Sequence, residues 1–178
     1  MAMQVARLSD SLAEYQVDAI HMLAIAVSDQ DEKVAWTAKA IALCEKSTAP
    51  ETKKWLGSLY NNQGWNAHSV GEFTLAQEYF EKALVERKKT GNPETIKIAE
   101  WCIARCLRSL EQFDKALEVQ ERLSDADVYV CEERAILYAR LEGREADAKL
   151  FAEKALAMFK EGDVPEERLA VLRGIVAA

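Results

Sequence analysis

The chain has 178 residues, 49% of them apolar, with only three prolines and seven glycines, a composition that favours one globular domain or one solenoid segment over disorder. The net charge of −7 argues against nucleic acid and anionic membranes as partners. No apolar run approaches the roughly 18 residues that span a bilayer, and early polar residues argue against a signal peptide, so we expect a cytoplasmic protein.

Apolar residues recur at helical spacing through nearly the whole chain, and no segment alternates with the period of a strand. Ser11 and Glu14 form a capping-box pattern that predicts the start of the first helix. Breaks are expected at Pro50, at 90–93 and at Gly143, because proline and glycine end helices. The pattern predicts four antiparallel helix pairs and a closing helix that caps the stack, with approximate bounds 11–46, 51–89, 94–123, 125–160 and 164–177.

Four alanines mark a repeat in this series of helices. Ala35, Ala76, Ala116 and Ala148 are 41, 40 and 32 residues apart, and each is followed seven residues later by a second small or apolar residue. A unit of this size is typical of stacked helical hairpins. The repeat therefore predicts an all-α solenoid over 1–178, and the 32-residue spacing predicts a short third pair.

The second pair carries the most specific pattern. Gly64 and Ala67 precede Phe73, Ala76 and Phe80, and this order of small and large packing positions resembles the tetratricopeptide repeat family. The small residues would let the two helices of one hairpin approach closely, while the phenylalanines would fill the space to the next hairpin.

This resemblance covers roughly residues 12–160. Spacings of 40 and 41 exceed the family's usual repeat of about 34 residues and resemble the long-repeat branch typified by kinesin light chains. The resemblance implies a right-handed superhelical α-solenoid whose concave groove binds a partner protein or peptide.

In that family the first helix of each pair lines the groove. Counting back from each alanine gives candidate groove positions with four arginines and one glutamate, a basic groove on an acidic protein. Arginine pairs with carboxylates, tryptophan offers rigid apolar area and asparagine bonds a peptide backbone. We therefore expect an acidic or C-terminal peptide segment to bind Asn61, Asn62, Trp65, His68, Trp101, Arg105, Arg108, Arg134 and Arg140.

Other interpretations of these residues stay open. The tryptophans could pack between helices, and the arginines could pair with acidic neighbours at little energetic gain per exposed pair. In the first pair the groove positions are apolar, as at Val17, Ile20 and Ala24, so we expect residues 1–10 or another protomer to cover them. The chaperone-tail clamp of the family does not map onto this chain, so chaperone binding is not inferred.

Chemistry-bearing motifs are weak. The four cysteines form no Cys-x-x-Cys pair, which favours buried thiols over a metal site or disulfides. His21 and His68 have no matching nucleophile, and no catalytic or phosphate-binding motif occurs. We expect a protein without catalytic activity, cofactor or metal. The alternatives are a structural or self-associating subunit, forming a homo-oligomer, and a peptide-responsive regulatory sensor.

Overall fold

A computed structural model of the protein describes residues 2–160, 162 and 164–178, with side chains from residue 12 onward. In this part every regular element is an α-helix, which confirms the all-α class. The helices are α1 (Ala2–Ala26), α2 (Gln30–Lys46), α3 (Pro50–Lys53), α4 (Leu56–Ser69), α5 (Phe73–Thr90), α6 (Pro93–Ser109), α7 (Phe113–Glu121), α8 (Val128–Tyr138), α9 (Glu145–Met158) and α10 (Glu166–Ala177). None of these helices is both long and apolar enough to cross a membrane.

Local signals set most helix ends. The Asp29 side chain caps α2 by accepting a hydrogen bond from the Glu32 amide at 2.9 Å. Pro50 occupies the first turn of α3, where the missing amide hydrogen costs nothing. Gly91 ends α5 in the left-handed region at φ 72°, and its amide bonds to the Arg87 carbonyl.

Two predicted boundaries are wrong. The first helix begins at Ala2, so Ser11 and Glu14 lie inside α1 and form no capping box. The residues before Ser11 are mostly good helix formers, and nothing among them stops propagation. The single helix expected from 51 is interrupted by a turn at 54–55 that separates α3 from α4.

The chain divides into two compact units, residues 1–99 and 100–178, and the boundary falls within α6. In unit 1, α1 pairs with α2, α4 pairs with α5, and α2 also packs on α4. In unit 2, α8 pairs with α7 and α9, and α10 packs on α9 and α8. The single superhelical solenoid remains a prediction.

The close approach of α4 and α5 depends on a glycine. A Cβ atom placed on Gly64 would lie only 2.5 Å from the Phe80 ring, and Phe80 is fully buried. Real Cβ atoms do not make such contacts, so only glycine fits here. The expected role of Gly64 is confirmed, but Phe80 fills space inside its own helix pair.

The alanine repeat is in register in three of the four helices. Ala76, Ala116 and Ala148 are buried and each is the fourth residue of its helix, whereas Ala35 is exposed. The fourth residue of α2 is Lys33, so the first repeat is misaligned by two residues.

The misalignment changes the interpretation of the apolar residues in α1. Val17 and Ala24 are buried in unit 1, and Ile20 packs against the same core cluster as Val17. The unit's own helices cover these residues, so the expected cover by residues 1–10 or by another protomer is wrong. Residues 2–10 continue α1 and do not fold back, and residue 1 lies outside the described residues.

We predict that Gly64→Ala lowers the free energy of unfolding by about 1–3 kcal/mol, because the added methyl overpacks the contact with Phe80. Gly174→Ala is the matched control, since a Cβ there meets open space within a helix. It should leave stability unchanged or raise it by up to about 1 kcal/mol. Urea unfolding followed by circular dichroism measures the free energy of unfolding of both variants. Equal changes in the two variants would contradict the close contact between Gly64 and Phe80.

The four cysteines are all buried free thiols. Burial, together with the nearby Glu45 charge, raises the pKa of the Cys44 thiol from 9.0 to about 11. Because folding favours the protonated thiol, this contribution to stability is fully present below pH 9.0 and is lost as the pH rises towards about 11. We therefore predict that a thiol reagent at pH 8 labels the native protein slowly and labels four thiols after unfolding.

Candidate functional site

Each unit carries a pocket that contains predicted site residues. The polar pocket of unit 1 has a volume of about 550 Å³ and lies between α1, α2 and α4. Asn61, Asn62 and Trp65 line it from one face of α4. Lys33 and Arg87 are the charged groups among its described lining residues, so this pocket carries positive charge.

Aromatic contacts fix Trp65 in the polar pocket. The Trp65 ring contacts the Phe80 ring edge-on, with 5.1 Å between the ring centroids. It contacts the His68 ring in the same way, with 5.2 Å between the centroids. His68 also touches Phe73 at 5.0 Å. His68 therefore supports an aromatic cluster and does not line the pocket, while Trp65 does.

Arg87 reaches the polar pocket because Gly57 leaves room for its side chain. A Cβ on Gly57 would stand 3.0 Å from the Arg87 Cγ atom. The guanidinium donates a hydrogen bond from Nη1 to the Thr95 carbonyl at 3.1 Å. Sequence reasoning missed Arg87 because it lies on the second helix of its pair, where no groove residue was expected.

His21 also lines the polar pocket. Its ring lies 5.5 Å from that of Trp55, and its Nδ1 atom is buried with no hydrogen-bond partner among the described residues. No described hydrogen bond therefore orients the imidazole through Nδ1, as a catalytic base requires.

The arginine pocket of unit 2 has a volume of about 530 Å³ and lies between α6, α8 and α10. Trp101, Arg105 and Arg108 line it from one face of α6. Arg140, just after α8, and Arg168, on α10, complete the set of basic residues. The structure therefore brings together four of the predicted site residues and adds Arg168.

Two buried carboxylates bind two of these arginines. Glu133 is 2% exposed and accepts hydrogen bonds from Nε and Nη2 of Arg108, the second at 3.2 Å. Glu132 is 5% exposed and accepts hydrogen bonds from Nε of Arg168, at 2.8 Å, and from its Nη2. Such two-point pairs are the strongest arginine–carboxylate contacts, and they supply hydrogen-bond partners to both buried side chains.

The positive charge of Arg105 is less fully balanced by a carboxylate than the charges of Arg108 and Arg168. Its Nε atom lies 3.9 Å from Glu133, a carboxylate already bonded to Arg108, and its Nη1 donates to the Ser109 hydroxyl at 3.0 Å. Burial, followed by repulsion from Arg108, lowers the pKa of Arg105. Four arginines against two glutamates leave the described lining of this pocket with an excess of positive charge.

The other residues of the arginine pocket shape its rim. The Trp101 indole donates from Nε1 to the Tyr129 carbonyl at 3.1 Å, which fixes the ring. Arg140 is exposed and makes no side-chain hydrogen bond or ion pair with any described residue. Ile136 and Val171 add apolar walls.

Arg134 does not line the arginine pocket. It is 8% exposed, and its guanidinium donates to the Gln120 carbonyl, from Nη2 at 2.7 Å, and to the Leu123 carbonyl at 2.9 Å. The Gln120 carbonyl lies in the last turn of α7 and the Leu123 carbonyl lies just after it, where backbone acceptors lack intrahelical partners. Arg134 thus holds the end of α7, and we exclude it from the candidate site.

Sequence reasoning missed Glu132 and Arg168 in the arginine pocket. Arg168 is on the closing helix, which has no anchor alanine from which a groove position could be counted. Glu132 precedes a predicted groove position, and the adjacent acidic residues Glu132 and Glu133 were a usable signal.

The chain matches no protein-family model, and no curated protein is significantly similar to it.

We predict that Arg134→Met lowers the free energy of unfolding by about 2–4 kcal/mol, because two carbonyl groups lose their charged donor. Arg140→Met is the matched control on an exposed arginine and should change stability by less than about 0.5 kcal/mol. Chemical denaturation of both variants measures the difference. If Arg134→Met left the free energy of unfolding unchanged, the Arg134 side chain would not stabilise the end of α7.

Proposed function

We propose that the protein is a protein-interaction module whose arginine pocket binds an acidic segment or the C-terminal carboxylate of a partner peptide. The observation that carries this proposal is the state of Arg105, a partly buried guanidinium beside Arg108 whose nearest carboxylate, Glu133 at 3.9 Å, is already bonded to Arg108. A ligand carboxylate would supply that missing charge.

The pocket has the chemistry for such a ligand. Arg108 and Arg168 are held by Glu133 and Glu132, so they keep the pocket in shape. Arg105 and Arg140 remain for the ligand and can each donate two parallel hydrogen bonds to a carboxylate. The Trp101 ring and the two apolar walls suit the aliphatic part of a neighbouring peptide residue.

The polar pocket of unit 1 supports the same function independently. Asn61 and Asn62 carry amide groups that can both donate to and accept from a peptide backbone. Lys33 and Arg87 again favour negative charge. Peptide binding in pockets lined by amides and cations is the role that the tetratricopeptide resemblance implies.

The proposal includes the superhelical solenoid and concave groove of that resemblance. It also includes a cytoplasmic location and a role without catalysis or a cofactor. A peptide-responsive regulatory sensor would use the same pockets, and its distinguishing property would be a change of conformation on binding.

A fluorescent peptide with several aspartates and a free C-terminal carboxylate tests the proposal by polarisation. We expect it to bind more tightly than a matched peptide with asparagines and an amidated end, and to weaken with salt. Arg105→Gln and Arg140→Gln should each reduce affinity by about tenfold or more, as expected for loss of a charge-assisted hydrogen bond.

Arg122→Gln is the control, because Arg122 is exposed, pairs with Glu118 and lies outside the arginine pocket. It should leave affinity unchanged. Equal binding of the acidic and neutral peptides, or normal binding by Arg105→Gln, would overturn the proposal.

A further inference from the structure

The face of α1 that points away from the core of unit 1 is apolar. Leu12, Tyr15 and Met22 are 60%, 74% and 57% exposed, and Ala19 and Ala26 on the same face are exposed as well. Within unit 1, α1 packs chiefly on α2 and α3, and Val17 also belongs to a core cluster that includes residues of α4. We call these five residues the α1 seam.

A contiguous exposed apolar seam of this kind is unusual on a helical protein, because exposed helix faces are normally polar. The side chains of the α1 seam, with exposed Leu23 on one flank and Ile25 on the other, form an apolar surface. A patch of this kind is on the order of several hundred Å², the size that marks interaction sites. Two such faces together approach the roughly 1,000 Å² that is the lower limit for a specific interface.

The spacing of the seam indicates what covers it. Its residues follow one another in steps of three and four, which is the 3.5-residue period of a coiled coil. This period keeps one stripe facing a partner helix that runs along α1, since a straight helix would otherwise drift away from the contact. A partner helix therefore fits the seam better than an extended peptide.

The α1 seam is complementary to a second copy of itself that runs in the opposite direction. When two copies of α1 lie antiparallel about an axis near Val17, Tyr15 faces Ala19 of the second copy and Leu12 faces Met22. The small alanine leaves room for the large tyrosine, as close packing requires. Among the flanking residues Gln16, Asp18, Leu23 and Ile25 only one is charged, so self-pairing brings few like charges together.

We propose that two copies of the chain associate through their α1 seams as an antiparallel, two-fold symmetric helix pair. The same patch on both chains makes this an isologous contact, which closes at a dimer. The dimer does not depend on the arginine pocket, because α1 belongs to unit 1 and the pocket to unit 2.

Sedimentation equilibrium of the full chain over about 1–100 μM tests the proposal, a range in which a small interface should dissociate. We expect a concentration-dependent rise from 20.0 kDa to twice that mass. Tyr15→Glu should weaken association by at least about tenfold, because it buries a charge at the centre of the seam. Leu150→Glu, at a similarly exposed apolar residue of α9, should leave it unchanged.

The variant Ala19→Leu distinguishes specific antiparallel pairing from nonspecific hydrophobic association. In the antiparallel pair a leucine at 19 would clash with Tyr15 of the second copy and weaken the dimer. If the α1 seam associated only nonspecifically through its apolar surface, the larger leucine side chain would strengthen association. Unchanged helicity by circular dichroism is expected for both seam variants, since both sites are exposed. A monomer at every concentration, or stronger association of Ala19→Leu, would overturn the proposal.

Discussion

The contact between Gly64 and Phe80 is the constraint on which unit 1 depends. Without a side chain at Gly64, α5 can place a fully buried ring directly against α4. That ring in turn supports the edge of Trp65, which lines the polar pocket next to Asn61 and Asn62. Packing inside one helix pair therefore fixes the position of a pocket residue, and a single methyl group at Gly64 would disturb both.

Unit 2 depends on a different interaction, the pairing of two buried carboxylates with arginines. A buried charge without a partner costs several kcal/mol, so Glu132 and Glu133 each require a cation. Arg168 and Arg108 provide it, and because Arg168 lies on α10, the closing helix is tied to α8 by charge as well as by apolar contacts. The remaining arginines of the pocket exceed what the fold needs, and the proposed ligand site consists of this excess.

The two proposals use opposite properties of the surface. The chain is acidic as a whole, so a basic pocket within it selects for negatively charged segments of a partner while the rest of the surface repels them. The α1 seam is nearly uncharged, which lets two acidic chains meet there with little repulsion. A dimer formed in this way would present two arginine pockets, and a partner with two acidic segments would gain avidity if it could reach both.

The sequence by itself determined most of the helices, because apolar spacing and Gly and Pro breaks are local properties. Helical periodicity placed Trp101, Arg105 and Arg108 on one face of a helix, and the alanine repeat added Arg140 to the same groove. It could not set the register of α2, since Ala35 resembles a packing alanine although it faces solvent. Only the tertiary structure decided that Arg134 holds the end of α7, that Arg168 joins the pocket from α10, and that α1 exposes a second apolar face. Each of these depends on which residues distant in sequence meet in space, and periodicity along one helix carries no information about its neighbours.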